Sequence, residues 1–402
     1  PRTSAPTPMA QVAMPSALLV AAQLDGTIRL FTPSGELTLT FSAGHEHPVT
    51  HLTVSPLHDE YVVVTGDAAS NVLRVHKVSV RQRRTQRDPQ HRPQRRRAGA
   101  AVPEDKISQY VSSQVNVTVQ FSRQIRVLKG ANNRSAGMTC VALASQQGNK
   151  YFVTGHADGR VAAFTRNGTL HAVMEGGGGA AGAAIEAFHL HLSTLVFRAA
   201  DGGWGFVDLE RLEVRRVTCA KFPGRRVTAA AVDSQQSTRV IAADEAGTVW
   251  VFNMKNKRDC KIEHRFTPGA TVAPLELASV RGFALAFEPA GRPKGRASVV
   301  VLNMSHVGHA RSDPARATSA VVWRRNGLRA KQWAVHRRFQ QGDLLAFLSE
   351  DGTEVEIMEL LMQTYIAPAA DTLGNFKLPV FAVAIVIVLG YQYVKQKGAF
   401  DP

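Results

Sequence analysis

The feature that most constrains the fold of this chain is a short pattern that recurs along most of its length. An alternating apolar segment ends in a tight turn, and a second alternating segment follows. The turn reads Asp-Gly in four units, at Asp25–Gly26, Asp158–Gly159, Asp201–Gly202 and Asp351–Gly352. In each of these units the sixth residue after the aspartate is Phe, Val or Ile. A tight turn that enters a strand produces such a fixed spacing, so the pattern predicts an all-β fold of repeated antiparallel strands.

The unit at 44–77 is the most complete one. The dipeptide Gly44–His45 is followed by a V-x-x-L-x-x-S-P segment, then by YVVVTG and NVLRVH. This arrangement resembles a WD40 repeat, and the resemblance implies a β-propeller with one small sheet per repeat. Seven blades are predicted within 16–363, with six or eight as alternatives, from units near 16–43, 47–128, 137–174, 185–216, 226–266, 272–304 and 317–360.

The repeats depart from the family pattern at the residues that form its polar network. No unit has the family's tryptophan at the strand end, where Phe, Val, Ile or His76 stands instead. The buried hydrogen-bond network that joins His, Ser or Thr, Asp and Trp in the family is therefore expected to be mostly incomplete. Apolar packing should hold the blades together. The first and last segments are expected to complete one blade jointly, with the chain after Trp323 supplying the missing strand.

The C-terminal region predicts a membrane anchor. Leu378 to Val394 (LPVFAVAIVIVLGYQYV) is apolar except for Gln392, and lysines flank it on both sides. As a helix it would span roughly 25 Å, near the short end of what crosses a bilayer core. A buried core helix is the alternative, but such a helix normally carries a polar stripe. The prediction is a linker at 364–376, a transmembrane helix at 377–395 and a short tail at 396–402.

The N-terminal residues 1–15 are polar and proline-rich, and they contain no apolar core of a signal peptide. They are predicted to be disordered, with translation starting at Met9 and the fold at Ala17. The prediction is therefore a single-pass membrane protein with a cytosolic propeller. The endoplasmic reticulum is the favoured location, and a mitochondrial or plastid membrane is the alternative.

The cysteines and the glycosylation sequons are evidence for the side of the membrane on which the propeller lies. Three widely spaced cysteines without a CxxC pair indicate neither a zinc site nor a disulfide framework, and their odd number favours a reducing compartment: Cys140, Cys219 and Cys260. Four N-x-S/T sequons argue instead for a lumenal propeller: Asn116, Asn133, Asn167 and Asn303. A hairpin turn is a sufficient structural reason for the Asn-Gly pair at Asn167.

Nearly half of the formal net charge of +16 lies in one segment, which carries +7 against +9 for the rest of the chain. Residues 81–97 (RQRRTQRDPQHRPQRRR) contain eight arginines and one aspartate, which predicts a disordered Arg-rich insertion at 81–103. Through 81–97, including Arg95, Arg96 and Arg97, the insertion would contact anionic lipid, RNA or an acidic partner, unless it is only a solvated loop.

A second basic zone interleaves charge with aromatic side chains. Its candidate contact residues are Trp323, Arg324, Arg325, Trp333, Arg337 and Arg338. Arginine and tryptophan are typical interface anchors, so a protein partner is favoured over RNA stacking. The alternative is an outer pair of strands with solvated arginines.

Catalytic chemistry has no support among the motifs. The glycine run at 176–179 lacks the lysine and hydroxyl that a phosphate-binding loop needs. His189 and His191 alternate along one segment, but no third metal ligand is identifiable. The chain is therefore predicted not to be an enzyme and to hold no cofactor or metal.

The most direct functional hypothesis is a membrane-anchored, non-catalytic scaffold whose partners are other membrane-bound proteins. A second hypothesis rests on architecture alone. A propeller with a C-terminal anchor is similar to Sec12-type exchange factors, which would make a small GTPase of vesicle-coat assembly the partner. A third is a basic subunit of an organelle complex that contacts RNA or anionic lipid.

Overall fold

The computed structural model describes residues 9–13, 19–32, 35–57, 60–82, 115–127, 137–175, 182–191, 193–219, 222–223, 225–254, 260–267, 276–288, 296–304, 307, 321–336 and 343–362. Within these residues the chain forms 27 strands in seven antiparallel sheets and no helix. The sheets are the blades of a propeller, so the prediction of an all-β seven-bladed fold is confirmed. Each blade is numbered here in chain order, and its first strand is the innermost one.

Blades 1 to 3 contain four strands each. Blade 1 comprises β1 (Met9–Ala13), β2 (Leu19–Gln23), β3 (Thr27–Phe31) and β4 (Leu37–Ser42). Blade 2 comprises β5 (His51–Leu57), β6 (Glu60–Asp67), β7 (Val72–Gln82) and β8 (Val115–Arg126). Blade 3 comprises β9 (Met138–Gln146), β10 (Asn149–His156), β11 (Val161–Thr165) and β12 (Leu170–Met174).

Blades 4 to 6 also contain four strands, whereas the described residues of blade 7 form three. Blade 4 comprises β13 (Ile185–His191), β14 (Thr194–Ala199), β15 (Trp204–Asp208) and β16 (Glu213–Arg216). Blade 5 comprises β17 (Val227–Val232), β18 (Arg239–Asp244), β19 (Val249–Asn253) and β20 (Lys261–Phe266). Blade 6 comprises β21 (Glu276–Val280), β22 (Phe283–Glu288), β23 (Ala297–Asn303) and β24 (Val321–Leu328). Blade 7 comprises β25 (Ala330–His336), β26 (Asp343–Ser349) and β27 (Val355–Leu360).

The start of the fold lies earlier than predicted. Residues 9–13 form β1, which pairs with β2 from Met9 opposite Gln23 to Ala13 opposite Val20. The prediction that 1–15 is disordered and that the fold starts at Ala17 is therefore wrong for this segment. Blade 1 has four strands without help from the end of the chain, so no blade shared between the two ends is seen within residues 9–362 as described.

The boundary between the last two blades also differs from the prediction. The segment that begins near Trp323 is β24, and it pairs with β23 as the outer strand of blade 6. It does not complete blade 1. Blade 7 starts only at Ala330 and ends with β27, whose single strand partner among the described residues is β26.

Apolar packing between neighbouring blades holds the ring together. Seven clusters of buried side chains lie one at each junction between successive blades. Leu19 and Ala21 of blade 1 pack against Leu344, Ala346 and Leu348 of blade 7 and close the ring. Burial of aliphatic side chains on both faces of each sheet is the main stabilising term, at about 25 cal/mol per Å² of apolar surface. Within the described residues, the ring is therefore closed by side-chain packing between blades 1 and 7.

The family's polar network is partly present in altered positions. In blade 2 the Nε2 atom of His45 lies 2.8 Å from the hydroxyl of Thr65. In blade 5 the indole N–H of Trp250 donates to the buried carboxylate of Asp244 at 2.9 Å. Trp250 stands two positions before Phe252, which occupies the family's tryptophan position, so the sequence pattern did not reveal this bond.

A disulfide joins Cys219 to Cys260, with the Cα atoms 5.2 Å apart. The prediction that the cysteines form no disulfide is therefore wrong. Cys219 follows the outer strand of blade 4, and Cys260 precedes the outer strand of blade 5. Cys140 is the free cysteine among the three, and it is buried.

The predicted insertion and anchor lie largely or wholly outside the described residues. Arg81 and Gln82 belong to β7, and the rest of 81–103 is not described. The linker, the transmembrane helix at 377–395 and the tail are not described either. Within the described part of the chain, no helix has the length and apolarity required to traverse a bilayer.

His76 makes the stability of blade 2 depend on pH. Its ring is buried between Phe41 and Phe121, and burial, followed by the charges of His45 and Arg74, lowers its pKa to about 4. In the unfolded chain His76 binds a proton near pH 6.5, whereas in the folded chain it does so only near pH 4. The contribution of neutral His76 is therefore complete above pH 6.5 and is lost as the pH falls toward 4.

The His76→Phe variant should show a weaker pH dependence of stability than the wild-type protein. Between pH 7.5 and 5.5 the wild-type free energy of unfolding should fall by about 1 kcal/mol more than that of the variant. Urea titrations at the two pH values measure the difference. The control is His171→Gln, which removes a solvent-exposed histidine of blade 3 in place of a buried one.

Candidate functional site

The Asp-Gly turns lie between the second and third strands of their blades, on one face of the propeller. In the first of them the Asp25 carboxylate accepts the backbone N–H of Thr27 at 2.8 Å. Gly26 has a φ of 82°, which a residue with a side chain rarely adopts. Asp158, Asp201 and Asp351 accept a backbone N–H two residues on in the same way, and their glycines have φ values between 72° and 81°. The aspartates and glycines therefore stabilise the turns on this face, and the residues beside each turn determine which groups it offers to a ligand.

A groove of about 900 Å³ opens on this face where blade 6 meets blade 7. Its apolar floor includes Phe347, which is 2 % exposed, and the half-buried Val355. The segment that links β24 to β25 forms one wall, and the turn between β26 and β27 forms the other. The groove reaches the start of β27, at Val355 and Glu356, and the outer edge of β27 has no strand partner in the described part of the chain.

Four exposed carboxylates surround the groove: Glu350, Asp351, Glu354 and Glu356. The Ser349 hydroxyl and the backbone N–H of Thr353 donate to Asp351 and lower its pKa to about 2. This carboxylate therefore stays ionised at any physiological pH.

One guanidinium group pairs with these acids, and a second lines the same groove. Arg325, on the outer strand of blade 6, contacts Glu356 at 2.5 Å and the sulfur of Met358 at 3.2 Å. Arg329 lines the groove and is exposed. Four carboxylates against two guanidinium groups leave an acidic groove on a chain whose formal net charge is +16.

The predicted basic zone is not a single exposed surface. Trp323 is half-buried against the cluster between blades 6 and 7, and Arg324 lies 4.0 Å from the carboxylate of Glu288. Trp333 is 5 % exposed and stacks on Phe287 with 5.6 Å between ring centroids. The interpretation of Trp333 as a partner contact is therefore wrong, because it lies on the innermost strand of blade 7 and points into the core.

The remaining candidate residues are either structural or not described. Gly44 has a φ of 73°, and a side chain there would collide with Arg74, whose Nη1 atom would lie 2.6 Å from its Cβ. His45 donates to or accepts from Thr65, as given above. Arg95, Arg96, Arg97, Arg337 and Arg338 lie outside the described residues.

A second polar site, which the sequence patterns did not indicate, lies at the innermost strands. A cavity of about 430 Å³ is lined by Glu186, His189, Arg198 and Glu276. Glu186 pairs with Arg198. Desolvation of the carboxyl by the surrounding protein raises the pKa of Glu276 to about 7, although the residue is partly open to solvent, the Trp333 side chain hydrogen-bonds to it and Arg198 lies nearby. His189 accepts the backbone N–H of Val232 through Nδ1 at 3.1 Å.

No cluster of three or more metal-ligating side chains occurs within the described ranges. The His189–His191 pair therefore has no third ligand there, and His189 Nδ1 is engaged by blade 5. Cys140 is also poorly suited to nucleophilic chemistry, since burial raises the pKa of its thiol to about 12.

Comparison with known proteins supports the architecture. No protein-family model matches the chain. No curated protein matches it either. Solved structures that are similar include the β-propeller domain of Cps50 (Swd1) from Myceliophteria thermophila and the computationally designed protein Ika8. The Swd1 domain is 10% identical with a TM-score of 0.57, over 89% of this chain and 98% of that one. Ika8 is 14% identical with a TM-score of 0.50, over 88% of this chain and 96% of that one.

At these levels of identity the likeness concerns the fold alone. The Swd1 domain has the same kind of ring of blades, and it is matched over nearly its whole length. Together with the seven sheets and the seven junction clusters, the comparison shows that this chain is a seven-bladed β-propeller with a WD40 propeller among its structural neighbours.

Proposed function

We propose that the protein is a non-catalytic, membrane-tethered scaffold that binds a basic segment of a partner protein in the groove between blades 6 and 7. The observation that carries this proposal is the acidic groove beside blade 7, which has three strands within the described part of the chain. Each of the other six blades has a fourth strand at the corresponding edge. An extended partner segment can add backbone hydrogen bonds at such an edge and place side chains in the groove.

Charge and shape favour a basic segment with apolar anchors. The acids at the rim attract lysine and arginine and speed the encounter. The buried floor at Phe347 offers an apolar contact to a side chain that enters the groove. The two most exposed large apolar side chains of the described residues also belong to these blades or their ends, with Leu361 83 % and Val322 56 % exposed.

The proposed tether places this site near a bilayer. The apolar segment Leu378 to Val394 follows blade 7 after a linker at 364–376. A chain of this length, from Leu361 to Lys377, reaches at most about 60 Å when fully extended. Blade 7 would therefore stay within reach of membrane-bound partners.

Reversing charge at the groove should weaken the binding of the partner. A gentle-detergent pull-down with mass spectrometry identifies the partner, and binding of the purified pair is then measured. In the Glu350→Lys/Glu354→Lys variant, affinity should fall at least about tenfold, because the lysines repel a basic segment. The matched control is Glu210→Lys/Glu245→Lys, which changes two exposed glutamates of blades 4 and 5. Equal affinities of the two variants would rule the groove out as the binding site.

A further inference from the structure

The disulfide indicates the type of cellular compartment in which the propeller folds. Cys219 and Cys260 are far apart in sequence, with a separation of 41 residues, and the fold brings them to bonding distance. Both are half-buried and pack against the aromatic cluster that joins blades 4 and 5. Disulfides of this structural kind form and persist in oxidising compartments, whereas thiol-based reductants keep cytosolic cysteines reduced.

An exposed glycosylation sequon occurs on a different blade. Asn167-Gly168-Thr169 forms the turn between β11 and β12, at the edge of blade 3. Asn167 and Thr169 are exposed, and the turn is closed by hydrogen bonds between Thr165 and residues 168 and 169. A sequon in a surface turn is accessible to the enzyme that attaches N-linked glycans.

The other sequons differ in their surroundings. Asn303 ends the third strand of blade 6, it is half-buried, and the next residue, Met304, is 3 % exposed. The side chain of Asn116 and all of Asn133 lie outside what the structure describes. Asn167 is therefore the one sequon that the described residues present in an exposed turn.

We infer that the propeller folds in an oxidising, lumenal compartment and carries an N-linked glycan on Asn167. Two independent features support this, the cross-blade disulfide and the exposed sequon, and together they favour the side of the membrane opposite to the cytosolic one expected from sequence. The inference does not depend on the groove or its partner.

The chemistry needs two co-reactants of that compartment. The donor is an oligosaccharide linked to a lipid pyrophosphate. The Asn167 amide nitrogen forms a bond to the anomeric carbon and loses one proton, and the bond from that carbon to the lipid pyrophosphate breaks. For the disulfide, the two thiols lose two electrons and two protons to a disulfide oxidant, which is reduced to a dithiol.

Mobility of the full-length protein, expressed from its own gene in its own cells, tests the glycan. Wild-type protein should migrate faster after treatment with peptide-N-glycosidase. Asn167→Gln and Thr169→Ala should each migrate faster than untreated wild type by one oligosaccharide. Thr169→Ser preserves the sequon and is the matched control, so it should behave as wild type. Co-migration of Asn167→Gln and Thr169→Ala with untreated wild type would overturn the assignment.

Thiol labelling of the same material tests the compartment independently. Denatured protein should take up a maleimide at one cysteine before reduction and at three cysteines after it. Labelling of all three cysteines before reduction would contradict an oxidising compartment. Because neither assay involves partner binding, their failure is distinguishable from failure of the scaffold proposal.

Discussion

Replacing Cys219 and Cys260 together by serine should lower the free energy of unfolding by about 4 kcal/mol. The bond closes a loop with a sequence separation of 41 residues, and the entropy that it removes from the unfolded chain grows with the length of that loop. For a propeller of this size the loss corresponds to a fall in melting temperature of about 5 °C. Thermal and urea unfolding of the oxidised protein and the double variant measure the effect.

Reductant supplies the control for this prediction. Wild-type protein in excess dithiothreitol should match the double variant, while the reductant should leave the variant itself unchanged. Cys140 is buried and free, so its retention in both proteins keeps that site identical. Equal stability of the oxidised wild type and the double variant would show that the bond does not stabilise the fold.

Breaking the ion pair between blades 6 and 7 should have an effect of similar size. Arg281, in the turn after β21, places its Nε atom 2.8 Å from the carboxylate of Asp343, which is 1 % exposed at its side chain. Removing the guanidinium leaves a buried carboxylate without this counter-charge. The Arg281→Met variant should therefore lose about 3–5 kcal/mol of stability.

A double-mutant cycle separates the pair from the packing around it. The Arg281→Met/Asp343→Leu variant should be more stable than Arg281→Met alone, because no buried charge then remains. Urea unfolding of the wild type, the two single variants and the double variant gives the coupling energy. A coupling energy near zero would mean that the two side chains act independently.

Much of the fold was predictable because its turns have local causes. Asp25 and Asp351 form hydrogen bonds within their own turns, and the fixed spacing to the next strand end follows from that geometry. Whether the segments at the ends of the ring form strands depends instead on their pairing with other segments. A five-residue strand such as Met9–Ala13 has no turn signal of its own, and its pairing with β2 decides its state. The repeat pattern also does not show to which blade a boundary strand such as β24 belongs.

The candidate site was less predictable because its parts come from separate segments. Glu350 and Glu354 lie beside an Asp-Gly turn in sequence, and nothing local indicates that they line a groove with residues of blade 6. Which residues border blade 7 depends on where β24 pairs. Trp333 alternates with charged residues in sequence, yet alternation on an innermost strand directs it into the core. Cys219 and Cys260 are likewise separated by 41 residues in sequence, and only the fold brings the two side chains to bonding distance.

Hydrogen exchange of the propeller with and without its partner tests the central claim most directly. The account predicts slower amide exchange at β27 and at the turn of residues 349–354 when the partner is bound. Exchange at β12, the outer strand of blade 3, should not change. Unchanged exchange at β27, with protection at another blade instead, would contradict the assignment of the groove between blades 6 and 7 as the partner site.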